Sequence, residues 1–431
     1  MVSCFTLFGS KLSLGGAQEH YTPLEARVPL KGLRNVTFVE ETEEGNVHWD
    51  GHVAPELRAV RVRTNGTGTD VRVTTEVSGP ADVIRKFTAT IDTEKDTLTA
   101  KLRIPNRLEA KDNVSFITTI TYPAYTQEDL PPLGISTILS NVYLNDNEPW
   151  SFASVSVATK SGDITSTAPL TVRKNVDLSS SSGKIDVSGT WTVEGDARFT
   201  STSGNISISA PLSVKGSARF NTTSGTIKST ALIRALDDLT FNTTSGGVYT
   251  KPALYAGRLT TRTTSGNIEH FHTDAATDAH LSSKSGKIAA LYIAVGQGKG
   301  KSDGSINTTL LEAQTTSGNI VLAGVVAAGS GSTRVTANST SGSIWAGLDD
   351  QTFGSVHLST TSGSRTLGSG IVPGPAGRRE TTGIINGGVH PAGLTAKSTS
   401  GSIQAMAETV SKEHFTMPPG IKFGIPTFGL F

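Results

Sequence analysis

His270 and His272 stand one residue apart, so on a strand their imidazoles share a face at a spacing that suits two ligands of one metal ion. Asp274, Asp278 and His280 follow closely in the chain. Strict alternation along the strand points both histidines inward, whereas a bulge that buries Phe271 would turn both outward. The spacing fixes no third ligand, so the pair is the only metal candidate and no cofactor is expected. Asp237-Asp238 and Asp349-Asp350 offer paired carboxylates, the groups that acid/base cleavage of polysaccharides requires. Adjacent residues of a strand face opposite ways, however, so neither pair is an acid/base couple. Each follows a leucine in a Leu-Asp-Asp string, where aspartate commonly forms a turn. No residue is assigned a catalytic role, and the chain has no Gly-rich phosphate loop, nucleophile elbow or cysteine-based metal motif.

Binding residues of a different kind recur at fixed intervals. Thr202, Thr223, Thr244 and Thr264 are expected along one outer edge, beside Asn221 and Asn242. A regular array of hydroxyls and amides could bind glycans, or ice. Threonine also favours exposed strand positions and stacked asparagines stabilise stacked coils, which accounts for the same residues without a ligand. The string from His48 to His52 reads either as a site or as a turn anchored by Trp49, and Glu40, Glu41, Glu43 and Glu44 read as a solvated acidic loop.

The elements that position these residues come from a repeat. Ser-Gly pairs place glycines at 162, 183, 204, 225 and 246, evenly spaced by 21 residues, and then at 266, 286, 318, 342, 363 and 401, with Asp303-Gly304 filling one slot. Between Gly204 and Ser224 the alternate residues, from Ile206 and Ile208 through Phe220 to Ser224, are apolar or small, so one face points inward along the whole coil. Stacking the coils aligns three columns: Ile164, Ile185, Ile206, Ile227 and Val248; Leu170, Trp191, Leu212, Ile233 and Leu254; and Leu178, Phe199, Phe220 and Phe241. The pattern predicts an all-β, single-stranded β-solenoid of two or three strands per coil. At the corners glycine would supply positive φ, Asn205, Asn267 and Asn319 would tolerate the same geometry, and Pro169 and Pro211 would fix φ. The Gly- and Pro-rich stretch from Gly368 to Gly393 reads as a loop.

Four segments follow: a flexible leader at 1–18, an N-terminal β unit at 19–150 resembling a small sandwich or a flattened lead-in sheet, the solenoid at 151–410 and an apolar tail at 411–431. Alternating runs such as Val71 to Val77 and Leu98 to Ile104 carry the N-terminal unit. The tail, with Phe415, Phe423, Phe428 and Phe431, is expected to cap the last coil, and the N-terminal unit the first.

A net charge of +1 with no basic stripe argues against a nucleic-acid partner. The single Cys4 allows no internal disulfide, no run is long and apolar enough for a membrane helix, and the N-terminus is a poor signal peptide. Eight Asn-x-Ser/Thr sequons occur; Asn35, Asn65 and Asn113 are the glycosylation candidates outside the repeats.

The strings Thr202-Ser-Gly-Asn-Ile, Thr223-Ser-Gly-Thr-Ile, Thr264-Ser-Gly-Asn-Ile and Thr316-Ser-Gly-Asn-Ile resemble those of the putative-adhesin repeat family, a domain of unknown function. The resemblance covers about residues 150–405. Family members usually carry an acid after the glycine, which this chain keeps at Asp163. The resemblance implies a β-solenoid, a place at the cell surface or outside the cell, contact with glycans or cell-surface proteins, and no established catalytic residues. Two functions follow: a non-enzymatic structural or adhesin-like protein presenting a Thr/Asn-rich surface, or a carbohydrate-active lyase or hydrolase on a β-helix scaffold.

Overall fold

The computed structural model describes residues 19–408 except 21–23, 43–47, 51–56, 67, 95, 110–113, 125–128, 146–148, 252, 296–308, 328–331 and 387–389. The leader and the tail therefore lie outside the described residues. The helix Ala81–Ile84 is the only one among them. Val176–Ser180, Ile185–Val187 and Trp191–Val193 make one coil, and Ala197–Ser201, Ile206–Ile208 and Leu212–Val214 make the next. Each strand pairs in parallel with its counterpart one coil on: Val176 with Ala197, Ile185 with Ile206 and Trp191 with Leu212. Three parallel ladders therefore form three faces, numbered first to third in chain order. Parallel strands about 4.8 Å apart let every coil bury its apolar side chains against those of its neighbours.

All three expected columns hold in register, one on each face. Phe199 and Phe220 stack at 4.8 Å with their planes 3° apart, and Phe220 and Phe241 at 5.0 Å and 15°. Each such ring is fully buried, which stabilises the coil by about 1.5–3 kcal/mol per side chain. The alternation does not run unbroken around the coil. Ala210 and Gly216 are half-buried and Ser224 is exposed, because each corner resets the phase of the strand that follows.

The stack extends further toward the N-terminus than the repeat does. Leu133–Thr137 pairs in parallel with Val155–Thr159 on one side and Asn35–Glu41 on the other, and Asn35–Glu41 pairs in parallel with Thr97–Arg103. On the second face Asn141–Leu144 is followed outward by Arg58–Gly66 and Ser115–Pro123, again in parallel. Antiparallel strands complete these ladders: Thr88–Glu94 beyond the first, and Asp70–Gly79 with Leu24–Pro29 beyond the second. The N-terminal strands are thus hydrogen-bonded into the solenoid rather than set apart as a sandwich. Glu40 belongs to this join and is buried, not part of a solvated loop. Its Oε1 accepts the Leu139 and Ile138 backbone N–H groups at 2.7 and 3.3 Å, and burial pushes the carboxyl above its usual range.

At the other end the coils stack out of sequence order. Thr333–Ser339 pairs with His390–Ser398, which pairs in turn with Thr352–Thr360. On the second face Ile344–Asp349 pairs with Ile403–Glu408, and that strand with Arg365–Leu367. The chain thus leaves a gap one coil wide, builds the coil beyond it, and fills the gap last. The expected loop from Gly368 to Gly393 is instead largely strand: Val372–Ala376 and Glu380–Asn386 form an antiparallel pair, and the second lies antiparallel against Thr352–Thr360 at the end of the first face. Asp303-Gly304 lies outside the described residues, but Gly318 stacks directly on Gly286, so no coil stands between them.

Candidate functional site

The Ser-Gly corners hold the outer face of the first ladder in place. None of their glycines has positive φ; among the described residues the glycines that do are Gly32, Gly68, Gly79, Gly324, Gly354 and Gly370. The repeated glycines are required by close approach instead. A Cβ at Gly183, Gly204, Gly225 or Gly246 would lie 1.8–2.0 Å from the carbonyl oxygen of the glycine one coil earlier.

A hydroxyl three residues before each glycine joins the two coils. Thr222 Oγ1 accepts the Gly225 N–H at 3.0 Å and donates to the Gly204 carbonyl at 3.2 Å. Ser201 does the same for Gly204 and Gly183, and Thr243 for Gly246 and Gly225. The relay continues through Thr263, Ser283, Thr315 and Ser339, then Ser398 and Thr360 in the order in which those coils stack. These hydroxyls are buried, and each satisfies one backbone donor and one acceptor that would otherwise be stranded. The residue after the glycine adds a second link. Asn205, Asn267 and Asn319 each accept the backbone N–H of the equivalent residue one coil on, at 2.8, 3.0 and 2.9 Å. Their role is cross-coil hydrogen bonding rather than tolerance of positive φ.

On this frame Thr202, Thr223, Thr244 and Thr264 are exposed and stacked; the Thr223, Thr244 and Thr264 backbone N–H groups each bond to the carbonyl of the threonine before them at 3.1 Å, and that of Thr202 to the Ser180 carbonyl at 3.1 Å. Asn242 Nδ2 donates to Asn221 Oδ1 at 2.9 Å, one column inward of the threonines. The same two columns run on through later coils, where they line a groove of about 640 Å³. Lys284, Thr316, Thr340 and Thr399 line it from the threonine column, and Gln314, Asn338 and Lys397 from the asparagine column.

The histidines do not come together. His270 is buried, with Nδ1 2.8 Å from Thr250 Oγ1 and Nε2 2.9 Å from Thr261 Oγ1; burial pushes its pKa down to about 3. His272 lies outside the core, stacked on Tyr292 at 4.6 Å with Nε2 3.3 Å from Asp274 Oδ2. Phe271 between them is exposed. The strand changes phase between His270 and Thr273, so neither the strict nor the bulged expectation holds for both rings. Among the described residues no three His, Cys, Asp or Glu side chains could together hold a metal ion.

The acid pairs sit at corners. Asp238 and Asp278 flank Arg258 at 3.9 and 3.6 Å, while Asp349 is buried and its carbonyl accepts the Thr352 hydroxyl at 2.6 Å. His48–Asp50 is a strand paired in parallel with Arg107–Glu109 rather than a turn, and His52 lies outside the described residues. Of the glycosylation candidates, Asn35 donates from Nδ2 to Thr37 Oγ1 at 3.2 Å, Asn65 belongs to the strand Arg58–Gly66, and Asn113 lies outside the described residues.

One surface feature was missed by the sequence reading. On the outer side of the second ladder Ala289, Val321, Ala323 and Trp345 form a separate apolar cluster with Leu291 and Met406, beside a groove of about 370 Å³. The available signal was the loss of alternation in Ile288 to Leu291 and Ile320 to Ala323, where consecutive residues are apolar.

Three parallel ladders closed by buried corner bonds, with a hydroxyl- and amide-rich outer face, define a β-solenoid. The chain belongs to the Toastrack family DUF4097, whose model matches residues 37–305, more than half of its length. Among solved structures it is similar to one named a putative cell adhesion protein from Clostridium sporogenes, at 7% identity over 90% of this chain and 100% of that one, with a TM-score of 0.20. A second, named a putative adhesin from Bacteroides fragilis, shows 15% identity over 58% of this chain and 95% of that one, with a TM-score of 0.32. No curated protein matches this chain. Among the described residues no helix is long and apolar enough to cross a membrane.

Proposed function

We propose that this protein is a non-enzymatic, adhesin-like solenoid of the cell surface whose first face contacts glycans or surface proteins. The observation that carries the reading is the row of exposed Thr202, Thr223, Thr244 and Thr264 hydroxyls, repeated once per coil above a buried ladder that fixes their positions. A rigid array of this kind can meet the hydroxyls of a repeating polymer with little ordering cost. The repeat resemblance to adhesin-like chains points the same way. The acid pairs give no support to a polysaccharide-cleaving enzyme: Asp349 is buried at a corner and Asp238 is engaged by Arg258.

A glycan array run alongside a depolymerisation assay tests the proposal. The protein is expected to retain one class of glycan without shortening it. Replacing Thr202, Thr223 and Thr244 together by Val is expected to weaken that binding about tenfold, the loss of a few modest hydrogen bonds, with an unchanged melting temperature. Depolymerisation of any polysaccharide, or binding indifferent to the triple variant, would overturn it.

A further inference from the structure

We propose that the groove beyond Thr263 is a binding cleft for a linear polyanionic polysaccharide lying along the solenoid axis. This rests on the reading of the first face as a contact surface and goes further by assigning the charge class of the ligand. Three observations carry it.

The first is the charge of the lining. The side chains around the groove are hydroxyls, the amides of Gln314 and Asn338, and the ammonium groups of Lys284 and Lys397; no carboxylate is among them. Both lysines are exposed, and among the described residues neither is held by an acid. Arg262, in the same column as Lys397, adds a third exposed cation at one end. Glu312, which neighbours this column, is already engaged by the Gln314 amide and by His280 Nδ1, the latter at 3.2 Å.

The second is spacing. Ser282 pairs with Gln314, Gln314 with Asn338, and Asn338 with Lys397, so the Lys284 and Lys397 coils stand three steps apart. At about 4.8 Å per step that is about 14 Å, a length for several sugar units of an extended chain rather than for one small anion. Hydroxyls occupy the coils between, at Thr316 and Thr340, where sugar hydroxyls would lie.

The third is an unmet acceptor. Asn338 Oδ1, in one of the two coils between those of Lys284 and Lys397, is buried without a hydrogen-bond partner. A buried acceptor left without a donor is costly, and a turn of the half-buried Asn338 side chain would present it to a ligand hydroxyl in the groove.

Cations without acid partners select charge and accelerate encounter, while the hydroxyl and amide rows give the neutral contacts that distinguish a sugar chain from another polyanion. The test is titration of the full chain with de-esterified polygalacturonate, dextran sulfate and neutral dextran, read by calorimetry. At least one of the two acidic polymers is expected to bind about tenfold or more tightly than dextran, and to weaken steeply as salt rises from about 0.05 to about 0.5 M. The double variant Lys284→Ala, Lys397→Ala is expected to lose about tenfold in that affinity, Lys284→Arg, Lys397→Arg to keep it, and Lys228→Ala, on the second face, to leave it unchanged. The two acidic polymers separate carboxylate from sulfate as the preferred group. Dextran bound as tightly as both acids, or an unaffected double alanine variant, would overturn the inference while leaving the contact surface intact. Absence of binding to every polysaccharide would overturn this inference and the glycan part of the proposed function, leaving contact with surface proteins as its remaining reading.

Discussion

Gly225→Ala is expected to destabilise the solenoid by about 3 kcal/mol, and Gly225→Val by more, the range of severe overpacking. An added Cβ would lie 2.0 Å from the Gly204 carbonyl oxygen and 2.8 Å from Thr222 Oγ1, so a methyl fits only if two coils separate at the corner. Separation would in turn lengthen the bonds that Thr222 makes to both glycines. Urea unfolding measures the loss. Gly134 is the internal comparison. It lies within a stacked strand, where a Cβ would meet its nearest atom, Thr37 Oγ1, at an ordinary 3.5 Å, so Gly134→Ala should stay within about 0.5 kcal/mol. Gly225→Asn separates the two explanations of the repeat. Asparagine tolerates positive φ, so a conformational requirement would accept it; the close approach rejects it as firmly as alanine.

Thr222→Val is expected to cost about 2–4 kcal/mol although the side chain keeps its shape. The substitution strands the Gly225 N–H and the Gly204 carbonyl at a buried corner, and each unsatisfied group costs about 1–3 kcal/mol. Thr222→Ser should be nearly silent, because Ser180, Ser201 and Ser283 make the same pair of bonds. The adjacent Thr223 is exposed, and Thr223→Val should lie within about 0.5 kcal/mol. Two neighbouring threonines of one Thr-Thr-Ser-Gly string thus differ several-fold in effect, and denaturation midpoints of the two valine variants report the difference directly.

The core of the fold was legible because it repeats. Ile185, Ile206 and Ile227, or Phe199, Phe220 and Phe241, recur at one interval, and a stacked coil has no other place for an apolar residue so spaced. The face carrying Thr202 and Thr223 followed from the same period. The reason for the glycine did not, because a turn and a close contact both favour the smallest residue, and only the distance to the coil below distinguishes them. The hydroxyl ladder did leave a trace: the residue three before each repeated glycine is Ser or Thr, from Thr159 to Ser398. In so threonine-rich a chain that trace looks like background. The stacking order at the C-terminal end was hidden for a different reason. Gly342 and Gly363 are 21 residues apart, the spacing of successive coils, yet Gly401 lies between them in the stack. Periodicity gives the shape of a coil, not its neighbour, and a coil of the right pattern pairs equally well with either edge. The groove over Lys284 and Lys397 depends on that reordering, since Lys397 reaches the face only through the last coil to be filled in.

Amide hydrogen exchange at the corner glycines is the most direct measurement of the central claim, that buried hydroxyls bind the Ser-Gly corners coil to coil. The Gly183, Gly204, Gly225 and Gly246 amides are expected to exchange as slowly as those of the core strands Ala197–Ser201 and Ala218–Thr222, opening only with the solenoid as a whole. Exchange of those glycines at the rate of an exposed turn, with the strands still protected, would contradict it.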